Sequence, residues 1–224
     1  PGPVLVDIAK DVTANKAEYN KAQIPKIERM TNTILDEDIE VALKMIKESN
    51  KPMIFLGGGA VISDADKEVK EFVYKVDAPV TDTLMGKGAF NGEDPLYTGM
   101  LGMHGTKTAN YSVTQCDLLI TIGARFSDRV TGNATKFAKN AKILQIDIDP
   151  AEINKNIIIN QSIIGDVKTV LTLLNEKIEQ HNNKEWIDHV MDMKKQFPLR
   201  YHQDVLTGPY ILEKLYEITG GDAI

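Results

Sequence analysis

Apolar residues along the chain follow two patterns, helical spacing and short uninterrupted runs, and the two patterns alternate. Acidic residues 36–38 precede apolar positions that recur every three or four residues, which predicts a helix over about 36–49. The run Pro52–Leu56 then leads into Gly57, Gly58 and Gly59, a pattern typical of a buried strand followed by a tight loop. Strands that alternate with helices form a parallel sheet with helices on both faces.

The same alternation continues to about residue 180. Further strands are predicted at 78–81, 117–123, 142–147 and 161–164. Further helices are predicted from a capping box at Ser63 and Asp66 to Val76, at 106–115, at 133–139, and from the cap Asp166 to Ile178. Asp82 is placed in a Thr-rich turn. The sequence therefore predicts an α/β fold, a three-layer α/β/α sandwich with a Rossmann-like parallel sheet.

The two ends of the chain differ from this pattern. Residues 9–35 are polar and irregular, which indicates a linker, and after about residue 180 only helices are predicted, at about 184–196 and 209–218. Residues 4–8 form a strand-like run, and residues 221–224 follow a Gly-Gly turn into a further strand-like run. Since chain termini are usually loose, we expect the chain to be a segment of a longer protein.

Composition and charge exclude several classes of protein. The 224 residues suffice for one sizeable core, and the net charge of −6 argues against nucleic acid or an anionic membrane as the main partner. No apolar run is long enough to cross a membrane, and no signal peptide is recognisable. Cys116 is the only cysteine, so an internal disulfide is excluded, and a reducing cytoplasm is the expected compartment.

Small and acidic residues follow several of the predicted strands. Gly57 to Gly59, Gly123, Asp147 and Gly165 with Asp166 all stand at such carboxyl ends, where parallel sheets bind ligands. Each glycine alone is compatible with a simple turn, but the four strand ends together favour a nucleotide-sized ligand. The third glycine of the dinucleotide fingerprint is missing, which disfavours an NAD dehydrogenase. Asp147 is equally compatible with accepting a ribose or adenine hydrogen bond and with capping the turn at Pro150.

Two longer strings carry the most specific chemistry. The first is Leu101–Thr106 (LGMHGT), before a predicted helix, and the second is Gly123–Gly132 (GARFSDRVTG), after a predicted strand. Arg125 and Arg129 offer planar, bidentate recognition of phosphate. The alternative interpretation makes Asp128 and Arg129 a surface ion pair of little energetic value.

These strings, together with residues 2–8, 55–60, 83–90 and 145–154, resemble the acetolactate (acetohydroxyacid) synthase family in order along almost the whole chain. The resemblance implies the middle of three domains, a DHS-like NAD/FAD-binding domain. Residues 1–35 would be the end of the N-terminal domain and a linker, residues 36–181 the FAD-binding domain, and residues 182–224 a helical connector to the domain that binds thiamine diphosphate.

The resemblance also implies a function and a cofactor site. The family joins pyruvate to pyruvate or 2-oxobutyrate on thiamine diphosphate and Mg²⁺, with loss of CO₂, in branched-chain amino-acid biosynthesis. It implies a homo-oligomer and a regulatory small subunit as partners. The residues that match its FAD-binding positions are Gly57, Gly58, Gly59, Thr83, Leu84, Leu101, Gly102, Met103, His104, Gly105, Gly123, Ala124, Arg125, Asp128, Arg129, Val130, Asp147, Ile148, Gly165, Asp166 and Val167. Ser127 departs from the family, in which many members carry Asp.

The chain lacks what the reaction itself needs. It has no Gly-Asp-Gly metal motif, and the family's activating Glu belongs to the N-terminal domain, so we expect no catalytic residue, no metal ligand and no activity of the chain alone. His181, His189 and His202 are expected in solvent, and Trp186 against a neighbouring helix. Three alternatives stay open: the middle domain of another thiamine-diphosphate decarboxylase or oxidase, a non-catalytic docking module, and an NAD-binding domain related to transhydrogenases.

Overall fold

The computed structural model describes residue 3, residues 5–18 and residues 34–222. The chain divides into two compact units, residues 1–30 and residues 31–224. In the first unit the described residues include one short helix, α1 (Lys10–Ala14), within the predicted linker. Residues 5–8, predicted as part of a strand-like run, have no regular structure, and residues 19–33 of the linker and residues 223–224 lie outside the described residues.

The second unit alternates strands and helices as predicted. Its strands are β1 (Pro52–Leu56), β2 (Val80–Asp82), β3 (Tyr97–Met100), β4 (Leu118–Ile122), β5 (Lys142–Asp147) and β6 (Gln161–Ile164). Its helices are α2 (Asp36–Glu48), α3 (Gly58–Ile62), α4 (Asp66–Val76), α5 (Lys107–Gln115), α6 (Asp128–Thr131), α7 (Val167–Lys177), α8 (Lys184–Gln196) and α9 (Gly208–Thr219). Short 3₁₀ turns occupy Leu84–Gly86 and Pro150–Glu152.

The six strands form one sheet in the order β3-β2-β1-β4-β5-β6, and every neighbouring pair is parallel. The register aligns Ile54 with Val80 on one side and with Ile120 on the other. This is the strand order of doubly wound folds that bind dinucleotides, and its direction reverses between β1 and β4. The predicted Rossmann-like class is confirmed.

Both faces of the sheet are buried, because alternate strand residues pack against helices on opposite sides. On one face Ile54 and Leu56 join the apolar residues of α2, α4 and α7. On the other face Met53 and Phe55 pack with Val113 of α5 and with Trp186, Val190 and Met193 of α8. Helix α8, the first part of the predicted connector, therefore covers the sheet. Trp186 also donates its indole N–H to the Pro52 carbonyl at 2.9 Å.

Several local predictions are wrong. No helix occupies residues 133–139, where the Asn133 side chain accepts from the Thr135 N–H and Ala138 has a φ of +42° that no helix allows. Ser63 does not cap α4: it ends α3, and its hydroxyl donates to Asp166 at 2.8 Å. The glycines after β1 are not simply a loop, since Gly58 begins α3.

The predictions around the second strand are shifted or incomplete. Strand β2 runs from Val80 to Asp82, so Asp82 ends a strand and does not lie in a turn. Strand β3 was not predicted at all. Among the described residues, no helix is both long and apolar enough to span a membrane.

Candidate functional site

The carboxyl ends of the six parallel strands form one edge of the sheet, and the predicted cofactor-binding residues all stand there. Gly57, Gly58 and Gly59 follow β1, Thr83 and Leu84 follow β2, and Leu101 to Gly105 follow β3. Gly123, Ala124, Arg125, Asp128, Arg129 and Val130 follow β4, Asp147 ends β5 with Ile148 directly after it, and Gly165, Asp166 and Val167 follow β6. This edge, at the reversal of strand order, is where such sheets bind ligands.

The loops after β1 and β4 are packed backbone to backbone. The Gly57 N–H donates to the Ile122 carbonyl and the Gly59 N–H to the Gly123 carbonyl, each at 2.9 Å. A Cβ atom on Gly59 would lie 2.7 Å from the Gly123 Cα, well inside van der Waals contact. The glycines at this point are therefore required by the contact between the two loops.

The two segments Leu101–Thr106 and Gly123–Gly132 contact each other beside a cleft that both line. The Met103 N–H donates to the Arg129 carbonyl at 2.9 Å, and a Cβ on Gly102 would lie 2.5 Å from that carbonyl oxygen. The cleft has a volume of about 640 Å³, and Met103, Asp128 and Arg129 are among its lining residues. This volume lies within the range of small-molecule and cofactor sites.

The cleft carries exposed positive charge. Arg129 lines the cleft, and Arg125 lies in the same loop after β4. Both side chains are exposed, and neither forms an ion pair within the described part of the chain. Asp128 does not pair with the Arg129 guanidinium: its Oδ1 accepts the Arg129 backbone N–H at 2.9 Å. The guanidiniums are thus available to an anion, and the surface-pair interpretation is wrong.

Two acidic residues stand on the far side of the edge, one at the end of β5 and one after β6. Asp147 is buried, and burial raises its pKa even though its Oδ1 accepts the Asp149 N–H at 3.0 Å. The cap of the turn at Pro150 is Asp149, which accepts the Ala151 N–H at 2.9 Å. The capping interpretation therefore applies to Asp149, and Asp147 keeps free acceptor capacity.

Asp166 has the opposite electrostatic environment. Burial alone would raise its pKa, but hydrogen bonds from the Thr169 N–H and the hydroxyls of Ser63 and Thr169 together lower it. Asp166 is therefore the N-cap of α7, as predicted, and it holds α7 to the end of α3.

Apolar side chains along the same edge are exposed to solvent. Among the predicted site residues these are Leu84, Met103 and Ile148, and beside them stand Ile62 and Met85, which the sequence analysis did not select. Exposed apolar residues grouped at one edge favour a covering ligand or domain. A helical period alone does not reveal Ile62 and Met85, because they lie in a short helix and a 3₁₀ turn.

Asp82 is the polar residue that the sequence analysis missed. It is buried at the end of β2 and accepts a hydrogen bond from the Tyr97 hydroxyl at 2.9 Å. An acidic residue at this position of a doubly wound sheet commonly accepts ribose hydroxyls, but this carboxylate is turned to protein partners. In the described ranges, no three His, Cys, Asp or Glu side chains are grouped so as to hold a metal ion.

Comparison with known proteins identifies similar sequences. Residues 39–174 match the family described as "Thiamine pyrophosphate enzyme, central domain". The chain is 44% identical over 210 residues to the acetolactate synthase large subunit of Porphyra purpurea, covering 89% of the chain and 35% of the relative. It is 42% identical over 236 aligned positions to the acetolactate synthase large subunit of Corynebacterium glutamicum and to the chloroplastic acetolactate synthase 1 of Zea mays, covering 100% of the chain and 37% of each relative. The chain thus spans about a third of the length of these relatives.

Proposed function

Because this chain belongs to the family of thiamine pyrophosphate enzyme central domains, we propose that it is the FAD-binding central domain of an acetolactate synthase large subunit. The whole protein would condense pyruvate with pyruvate or with 2-oxobutyrate on thiamine diphosphate and Mg²⁺, releasing CO₂. The observation that carries the proposal is the meeting of the Gly102–Met103 and Asp128–Arg129 segments across one cleft at the carboxyl edge of the sheet.

The chemistry of the edge supports FAD as its ligand. The loop after β4 supplies two guanidiniums that pair with none of the described carboxylates, and Arg recognises a diphosphate bidentately. Asp147 keeps acceptor capacity for ribose or adenine, and exposed Leu84, Met85 and Met103 offer apolar contact to a ring system. Bound FAD would supply a redox-capable isoalloxazine, whereas the net carboligation requires no external oxidant.

The thiamine diphosphate and Mg²⁺ belong to other parts of the proposed enzyme. The described residues include no acidic cluster for a metal, and the sequence has no Gly-Asp-Gly motif. The remaining domains of the same chain, further copies of it and a regulatory small subunit are the proposed partners, and the cytoplasm is the proposed compartment.

The proposal is tested by comparing the 224-residue chain with a full-length protein that contains it. Only the full-length protein should form acetolactate from pyruvate when thiamine diphosphate, Mg²⁺ and FAD are supplied, as measured by acetoin colour development. Colour from the chain alone would contradict its role as a non-catalytic domain. A full-length protein that binds flavin but forms no acetolactate would instead favour another thiamine-diphosphate decarboxylase or oxidase.

Flavin titration of the chain alone separates the proposal from a docking module. We expect cooperative unfolding, because both faces of the sheet are already covered, and FAD binding of micromolar or weaker affinity. In the chain alone, this edge would leave part of the apolar ring of FAD exposed to water. Each 100 Å² of apolar surface that stays exposed costs about 2.5 kcal/mol of binding free energy. No flavin binding by either protein would favour the docking module, and tight flavin retained by the chain alone would contradict the expected weakness.

A further inference from the structure

Three side chains are joined at the carboxyl end of β2, and we call them the Asp82 clasp: Asp82, Lys87 and Tyr97. The Tyr97 hydroxyl donates to Asp82 Oδ2 at 2.9 Å. Lys87 Nζ donates to the Tyr97 hydroxyl at 2.9 Å and lies 3.6 Å from Asp82 Oδ1. The clasp thus connects the end of β2, the segment after the 3₁₀ turn and the first residue of β3.

The clasp encloses the 3₁₀ turn Leu84–Gly86. Asp82 lies two residues before the turn, and Lys87 directly follows it. Thr83 caps the turn, and its Oγ1 accepts the Gly86 N–H at 3.0 Å. A Cβ on Gly86 would lie 2.4 Å from the Leu56 carbonyl, and one on Gly58 would lie 3.1 Å from the Met85 Cβ. The turn is therefore held between the end of β1 and the clasp, and it presents Leu84 and Met85 at 69% and 72% exposure.

Burial of the ionised Asp82 carboxylate has a cost that its hydrogen-bond and charge partners offset only in part. Its side chain is 5% exposed, and burial raises its pKa although Tyr97 and Lys87 act to lower it. A raised carboxyl pKa means that the folded state binds the proton more tightly than the unfolded state. The free energy of unfolding therefore falls as pH rises from the ordinary carboxyl pKa through the raised one.

A buried carboxylate whose ionisation opposes folding calls for a role other than stability. The groups that face it are Tyr97 from β3 and Lys87 from the loop, and Lys194 of α8 contacts only the backbone carbonyls of Pro95 and Tyr97. Through these two partners Asp82 connects the segment after the turn to the first residue of β3. The charge of Asp82 is thus used to anchor Lys87.

We propose that Asp82 is a positioning residue that acts through Lys87 and Tyr97 to fix the Leu84–Gly86 turn as one wall of the cofactor site. This inference rests on the proposed function for the identity of the cofactor. The clasp itself is a property of the chain and can be measured without flavin.

The first experiment measures amide hydrogen exchange of Gly86 by NMR in the 224-residue chain. In Asp82→Asn and Lys87→Met, exchange should be about tenfold faster, because the turn opens locally once the charge pair is lost. Lys87→Arg keeps the charge and should restore protection. Tyr74→Phe is the matched control, since Tyr74 also donates to a carboxylate, Asp94, at 2.6 Å but outside the clasp.

The second experiment measures the FAD affinity of the full-length protein as pH falls from about 8 through the raised pKa of the Asp82 carboxyl. On acidification, the FAD affinity of the wild type should weaken toward that of Asp82→Asn. The affinity of Asp82→Asn should be about fivefold weaker than that of the wild type at pH 8, and it should not change with pH. Because Lys87 is 50% exposed, Lys87→Met keeps the test valid if Asp82→Asn fails to fold.

Unchanged Gly86 exchange in Asp82→Asn and Lys87→Met would show that the Asp82 clasp does not hold the turn. Faster exchange with unchanged FAD affinity and the same pH profile would overturn the positioning role. If the wild-type full-length protein binds no flavin, the proposed function fails, and the exchange data alone decide whether the clasp holds the turn.

Discussion

Gly57 and Gly123, which follow the neighbouring strands β1 and β4, lie so close that a Cβ on Gly57 would stand 2.2 Å from the Gly123 carbonyl oxygen. The same Cβ would lie 2.4 Å from the Ala124 Cα. Both obstacles are backbone atoms, so no side-chain rotation relieves them. The contact stands where the strand order reverses, and it joins the glycine loop to the segment that carries Arg125 and Arg129.

Gly57→Ala should therefore destabilise the fold by about 1–3 kcal/mol or more, the usual cost of overpacking a closed interior. Urea unfolding of purified variants measures this. Gly208→Ala is the matched control, because a Cβ on that first residue of α9 meets no atom within 4 Å. Equal unfolding midpoints for the two variants would show that the loops after β1 and β4 separate easily.

The elements that the sequence predicts well are those with a long apolar period or an uninterrupted apolar run. Strands β5 and β6 and helix α8 begin and end where predicted, and α7 buries the predicted face Val167, Val170, Leu171, Leu174 and Ile178. In these segments local pattern and tertiary packing agree, because the strands pair within the sheet and the helices bury apolar residues against it.

The elements that the sequence misses depend on distant contacts. Strand β3 contains Gly99 with a φ of +96° and lies at the edge of the described sheet, beside β2. It buries only Thr98, so it has no apolar run to detect. Asp82 is polar, and its burial depends on Tyr97 and Lys87, which no short-range pattern reveals.

At the candidate site, too, the sequence predicts some features and misses those that depend on distant contacts. The rule that ligands bind beyond the carboxyl ends of parallel strands correctly predicts which loops share an edge. It does not predict which backbones touch. The hydrogen bond from Ser63 to Asp166 spans 103 residues of sequence, and no spacing argument reaches that far.

Removal of the cap at Asp166 should weaken the fold in a pH-dependent way. Asp166→Ala should cost about 0.5–2 kcal/mol at pH 7, because the first turn of α7 loses its acceptor. Since hydrogen bonds lower the folded pKa of Asp166, its stabilisation is present above the ordinary carboxyl pKa and is lost as pH falls through the lowered value. Thermal unfolding of wild type and Asp166→Asn should therefore converge on acidification.

Asp188→Ala serves as the control for this effect. Asp188 is an exposed carboxylate on α8 that pairs with Lys184, and solvent-exposed pairs of this kind contribute little to stability. A difference between wild type and Asp166→Asn that grows toward low pH would contradict the assigned direction of the Asp166 pKa.

The thiol of Cys116 should be unreactive in the native protein. Burial, with the charge of Asp117 as a second cause, raises its pKa to about 12, so almost no thiolate forms at pH 8. Reaction with a thiol-specific disulfide reagent should follow global unfolding, and the rate should rise with urea to that of the unfolded chain. Fast labelling in the absence of urea, at a rate independent of stability, would mean that the segment around Cys116 opens locally.

The arginines of the loop after β4 should determine flavin affinity without contributing to stability. In the full-length protein, Arg125→Ala and Arg129→Ala should each weaken FAD binding about tenfold or more, since a charge-assisted hydrogen bond contributes about 1.5–3 kcal/mol. Neither side chain pairs with a described carboxylate, so removing it leaves no buried charge, and the unfolding free energy should change by less than about 0.5 kcal/mol.

Flavin titration of four variants decides this assignment, with His181→Ala and His202→Ala as controls outside the loops of the carboxyl edge. The two Arg variants should also lose much of the dependence of affinity on ionic strength, because salt screens an exposed guanidinium from a diphosphate. Arg→Lys at each position separates charge from geometry: a point charge restores the salt dependence but not the bidentate hydrogen bonds. Equal dissociation constants in all four alanine variants would refute the role of Arg125 and Arg129 while leaving the fold unaffected.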